Sequence, residues 1–124
     1  MWELTKSFRF EAAHTLSGTT LGKVSEEIHG HSYRAEVTIR GVPDAATGMV
    51  VDLGVLERKL ESIRSRLDHK LLNKINALGV PTLEHLARFI FDEVQDAGRV
   101  TRVSVYRDSC GESCTYQGVG ADDR

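Results

Sequence analysis

H-G-H-S-Y-R-A-E-V-T-I-R, residues 29–40, is the stretch on which the reading of this chain turns. Successive side chains of a strand point to opposite faces. Tyr33, Ala35, Val37 and Ile39 therefore share one face, and Arg34, Glu36, Thr38 and Arg40 the other, the pattern of a half-buried strand. His29 and His31 are in phase with the apolar set, so both imidazoles can reach one metal ion from the same side, with Gly30 leaving the opposite side clear. Alone, H-x-H is a weak motif, because histidines are common at surfaces and in cores. It gains weight from L-T-K-S-F-R-F-E-A-A-H, residues 4–14, which alternates in the same way. There Phe8, Phe10, Ala12 and His14 share a face against Ser7, Arg9 and Glu11. If the two strands pair as a hairpin joined by residues 15–28, the end of one meets the start of the other. His14, His29 and His31 then converge at one end of the sheet, on one face.

Downstream, Gly41-Val42-Pro43-Asp44 opens a turn, and Asp52 is placed to cap a helix that runs through Leu67. Leu53, Leu56, Leu60, Ile63 and Leu67 form its apolar stripe. Asp68 and His69 are adjacent where that pattern stops. His69 is either a helix-terminal histidine favoured by the macrodipole or a general acid or base oriented by the carboxylate. Thr82 is the expected cap of a second helix, with Leu83, Leu86, Ala87, Ile90 and Val94 as its stripe. His85 stands where a capping box wants Glu or Gln, so Glu84 either complements the helix dipole or is free for a ligand. Residues 100–107 alternate as a third strand closed by Asp108, and Thr115-Tyr116-Gln117 suits a short fourth. The order strand, strand, helix, helix, strand, strand predicts an α+β layer, a four-stranded antiparallel sheet with two helices on one face.

Composition narrows the partners. With 124 residues the chain fits a single domain spanning residues 1–124. Its net charge of −2 and lack of a basic stripe disfavour nucleic acid. No apolar run suits a membrane span or a signal peptide, so a cytoplasmic protein is expected. Cys110 and Cys114, in C-G-E-S-C, read as a reduced, inert pair or as a redox or metal element. The residues from Gly118 onward look like a loose tail.

Six stretches together resemble one family, the zinc-dependent 6-pyruvoyl-tetrahydropterin synthases and the related 6-carboxy-tetrahydropterin synthases. They are F-R-F-E-A-A-H (8–14), H-G-H-S-Y (29–33), G-M-V-V-D-L (48–53), L-D-H-K-L-L-N (67–73), P-T-L-E-H-L-A (81–87) and C-T-Y-Q-G (114–118), in the family's order and across almost the whole chain. The resemblance implies the tunnelling fold, in which trimers close into a barrel and two trimers stack as a homohexamer. It implies a small-molecule pterin substrate, 7,8-dihydroneopterin triphosphate or a close relative, and makes His14, His29 and His31 the zinc ligands. Three imidazoles plus an open position suit catalytic zinc, a Lewis acid for the side chain at pterin position 6. His69, with Asp68, matches the family's proton relay. Asp108 stands where a glutamate anchors the pterin's amino-pyrimidine edge and joins the relay, one methylene shorter. Thr82 and Glu84 match the P-T-x-E stretch near the pterin pocket.

One departure bears on the reaction. The family's base is a cysteine shortly before H-G-H, and this chain has none there. Ser25 takes the spacing of that cysteine, but a hydroxyl is a weak base unless activated. Glu26 gives E-x-x-H-G-H, the motif of a sister group that releases 6-hydroxymethyl-dihydropterin for folate synthesis by cleaving the same side chain. The leading expectation is a zinc-dependent lyase of that kind, using Glu26 as base and His69 as relay. The alternatives are 6-pyruvoyl- or 6-carboxy-tetrahydropterin synthesis through Ser25, or a non-catalytic zinc- and pterin-binding relative.

Overall fold

A computed structural model describes residues 1–18 and 26–118. Ser25, much of the connection before H-G-H and the tail beyond Gly118 lie outside the described residues. The first two strands are long, β1 at Trp2–His14 and β2 at His29–Gly41, and they pair antiparallel along their whole length. Helix α1 spans Leu53–Leu67, followed by a two-residue strand β3 at Lys70–Leu71 and by helix α2 at Leu83–Glu93. Strands β4, Val100–Arg107, and β5, Glu112–Gln117, complete a sheet of order β3-β1-β2-β4-β5.

The sheet thus has five strands rather than four. The addition is β3, which pairs parallel with Ala12 and Ala13 at the outer edge of β1. Two residues carry no readable alternation, so this strand was not visible in the sequence.

Burial explains the layering. Phe10, Ala12, Tyr33, Ala35, Val37, Ile39, Val103 and Val105 are all nearly inaccessible and pack with Leu56, Leu60, Ile63, Leu67, Leu86 and Ile90 of the helices. The Phe10 and Tyr33 rings stack at 4.8 Å across the β1–β2 ladder. The other sheet face is polar: the Tyr106 hydroxyl donates to Glu36 (2.8 Å), and the Arg34 guanidinium lies 3.9 Å over the Tyr106 ring. Between β2 and β4 the register slips at Thr38/Ile39, so that Val100 and Arg102 face consecutive residues of β2. That bulge buries both Val100 and Thr101, where strict alternation buries one.

Both helix starts follow the side-chain rule expected of them. The Asp52 carboxylate accepts the Gly54 amide (2.8 Å), and the Thr82 hydroxyl accepts that of His85 (3.2 Å). Leu53, assigned to the α1 stripe, is instead half exposed in the first turn, and Phe89 joins the buried face of α2. Leu86 is completely buried between α2 and the sheet. Leu86→Ala is expected to cost about 2–5 kcal/mol in denaturant unfolding, because its cavity cannot collapse against the strands.

Candidate functional site

The β1–β2 register sets His14 directly opposite His29, with His31 opposite Ala12 two positions in. The three rings meet edge to face, their centroids 4.6, 5.0 and 4.9 Å apart. One nitrogen from each lies within 4.8 Å of the others, the arrangement of a group that could hold a metal ion.

The hydrogen bonds around the rings define which nitrogen is free. A carbonyl can only accept, so His14 donates its Nδ1 hydrogen to Pro81 O (2.9 Å) and His29 donates its own to Glu27 O (2.8 Å). The neutral rings then present Nε2 lone pairs to each other across 2.9 Å. Two lone pairs at that distance repel unless a proton or a cation lies between them. Burial lowers the pKa of His14 and so disfavours a proton on that ring, and burial first, then the Arg107 charge, lowers the pKa of His31 to about 4. The His31 Nε2 is buried with no partner among the described residues. Tetrahedral zinc bonds of about 2.0–2.1 Å would set donor nitrogens about 3.3 Å apart; the rings offer one pair at 2.9 Å and all three donors within 4.8 Å. The donor set fits zinc.

Beside the triad an open cleft of about 590 Å³ is lined by Glu11, Gly30, His31, Ser32, His69 and Ser109, among others. His69 reaches it through a local strain. After α1 ends, His69 takes φ 59°, a left-handed conformation uncommon without glycine. Two bonds to Glu11 impose it: His69 donates its amide to Glu11 O (2.6 Å), and the Asp68 carboxylate accepts the Glu11 amide (2.8 Å). Asp68 also meets His69 Nδ1 at 2.9 Å and the Arg64 guanidinium at 3.1 Å. The Glu11 amide, then His69, holds the Asp68 carboxyl below its ordinary range. His69 itself is 78% exposed at the rim.

The remaining expected site residues lie elsewhere. Asp108 is gripped by Arg34 through Nε (3.0 Å) and Nη2 (3.2 Å), with Arg9 at 3.9 Å, and Arg34 pushes its pKa down. Its neighbour Ser109 lines the cleft. The Thr82 hydroxyl is used in capping α2, and Glu84 is exposed and close enough to Cys114 to add to the rise that burial causes in its thiol. From P-T-L-E, the group that reaches the triad is the Pro81 carbonyl. The Glu26 side chain is exposed, while its carbonyl accepts the Thr15 hydroxyl (2.6 Å).

Sequence reasoning missed two neighbours of the triad, Arg107 and Cys110. Cys110 Sγ lies 4.0 Å from His31 Nδ1. The signal was present in the run that follows the third strand, but the cysteines were weighed as a pair and not each by position. Both are free thiols.

Residues 3–119 match the family model described as 6-pyruvoyl tetrahydropterin synthase. The chain belongs to that family. It is 39% identical over 103 residues to a 6-carboxy-5,6,7,8-tetrahydropterin synthase of Synechocystis, covering 79% of this chain and 78% of the relative. The solved Caenorhabditis elegans 6-pyruvoyl tetrahydropterin synthase superposes with a TM-score of 0.80 at 25% identity, over 94% of this chain and 95% of that one. A Plasmodium vivax 6-pyruvoyltetrahydropterin synthase, solved with a catalytic glutamate replaced by alanine, shares the fold at TM-score 0.70 and 16% identity, over 94% and 98%.

The lowered histidine pKa values have a consequence for the metal-free family member. Between about pH 6.5 and about 4 the unfolded chain binds a proton at His31 that the folded chain refuses. Stability is therefore full above about pH 6.5, erodes as pH falls through that window, and levels off below about 4. Urea midpoints of the metal-free protein should fall with pH in that range, and the slope should be shallower in His31→Gln.

Proposed function

We propose that the chain is a zinc-dependent enzyme of pterin metabolism that acts on the side chain of 7,8-dihydroneopterin triphosphate or a close relative and releases 6-hydroxymethyl-dihydropterin. The observation that carries this reading is the pair of opposed Nε2 atoms of His14 and His29, 2.9 Å apart with both Nδ1 atoms tied to carbonyls, beside the cleft that His69 rims. His14, His29 and His31 would hold the zinc. When bound, the metal supplies a Lewis acid for the hydroxyls of the substrate side chain.

The chain's own groups supply the proton chemistry. Glu26 is tied by its main chain to Thr15, the residue after His14, and lies three residues before His29, so its backbone is tethered close to both histidines and its exposed carboxylate is free to turn toward them. It takes the proton from the hydroxyl on the second side-chain carbon; the oxygen becomes a carbonyl as the bond to the first carbon breaks, the outer fragment leaves as an aldehyde, and the first carbon takes up a proton. A catalytic glutamate in the Plasmodium vivax relative supports an acidic base in this fold. Asp68 accepts from His69 Nδ1, which leaves Nε2 as the atom that returns a proton at the cleft. Asp108, kept ionised by Arg34, offers a carboxylate for the amino-pyrimidine edge of the pterin. The hexameric barrel implied by the family resemblance belongs to the same proposal.

The identity to a 6-carboxy-tetrahydropterin synthase favours one second reading, synthase chemistry through Ser25. Product analysis separates the two. Zinc-loaded protein incubated with dihydroneopterin triphosphate should yield 6-hydroxymethyl-dihydropterin, and chelation should abolish turnover until zinc is restored. Glu26→Gln should lower kcat by about 100-fold or more at unchanged zinc content. Unchanged turnover in that variant, with a sharp gain of synthase product in Ser25→Cys, would move the assignment to the second reading.

A further inference from the structure

An imidazole that binds a metal is aimed by what its other ring nitrogen donates to. Two histidines of the triad donate to main-chain carbonyls, of Pro81 and Glu27. The third differs. Among the described residues the neighbour of His31 Nδ1 is a sulfur, Cys110 Sγ at 4.0 Å, while His31 Nε2 is buried without a partner.

The sulfur is held where it is by more than a loose loop. Asp108–Cys110 form one helical turn at the end of β4, closed by the Gly111 amide donating to Asp108 O (3.1 Å). Gly111 has φ 68°, which a glycine adopts without strain. On the far side β5 returns so that Arg107 pairs with Glu112, in the ladder and by an ion pair of 2.8 Å. The Ser109 hydroxyl touches the same sulfur at 3.9 Å. Behind His31, with ring centroids 5.8 Å apart, Tyr33 is buried in the same corner.

We infer that Cys110 is a positioning residue for the triad: its sulfur accepts the Nδ1 hydrogen of His31 and so leaves Nε2 as the metal donor. This rests on the reading of the triad as a metal centre. Sulfur is a weaker acceptor than a carbonyl, so His31 is the ligand held least firmly, and the one whose setting depends on a side chain.

Cobalt(II) titration of the metal-free protein tests the assignment, with affinity read by chelator competition and ligand field by visible absorption. Cys110→Ala should weaken binding by about 10- to 100-fold and shift the absorption. Cys110→Ser, whose hydroxyl can accept the same hydrogen, should recover most of both. Cys110 is exposed, so unchanged unfolding midpoints should accompany these losses. Parent-like affinity and spectrum in the alanine variant overturn the inference. So does a serine variant as weak as alanine, which makes the sulfur a packing element. A thiolate charge-transfer band in the parent that alanine removes makes Cys110 a ligand itself and overturns the inference as well. A parent that takes up no cobalt overturns the metal reading, and this inference with it, before any variant is compared.

Discussion

The ladder between β1 and β2 is the constraint on which the rest depends. It runs through thirteen consecutive pairs, from Trp2 opposite Gly41 to His14 opposite His29. A slip of one residue would move a whole apolar set to the polar face. The stacked Phe10 and Tyr33 rings and the buried row of Ala35, Val37 and Ile39 make such a slip costly. The triad inherits its placement from that register, since two of its members are the last pair and the third shares their face.

The helices finish what the ladder begins. The start of α2 brings the Pro81 carbonyl against His14, so the cap of a helix and the orientation of a triad imidazole are settled in one turn. The end of α1 is bonded to the main chain of Glu11 in β1 twice, by the His69 amide and by the Asp68 carboxylate, and this forces His69 into its left-handed conformation. Strain of that kind persists where the surroundings over-determine the backbone. Here Glu11 on one side and β3 on the other do so, and the imidazole is delivered to the rim of the cleft.

Much of this was legible in the residues. The period-two alternation of residues 4–14 and 29–40 was enough to bring His14, His29 and His31 to one end and one face. Asp52 and Thr82 marked both helix starts because short polar side chains cap in a way that depends only on local geometry. What was not legible depended on contacts distant in sequence. The two residues of β3 have no period to read. The bulge beside Thr38 appears only when β4 is laid against it. Asp108 could be assigned to a pocket by motif, but its ion pair with Arg34, seventy-four positions away, is set by strand pairing. Cys110 was judged by its spacing to Cys114, whereas its sulfur meets His31 of a different strand.

The site divides its labour between parts of the chain with different freedom to vary. All three imidazoles stand on strands whose register tolerates no insertion. The ladder pairs Trp2–His14 with His29–Gly41, and Ser25 and Glu26 belong to the stretch of sequence between those two strands. A lineage built on such a plan can rewrite the joining segment in length and chemistry while the histidine triad stays intact. New reactions can then arise on an old centre by editing one loop, and two relatives with the same triad need not share a product.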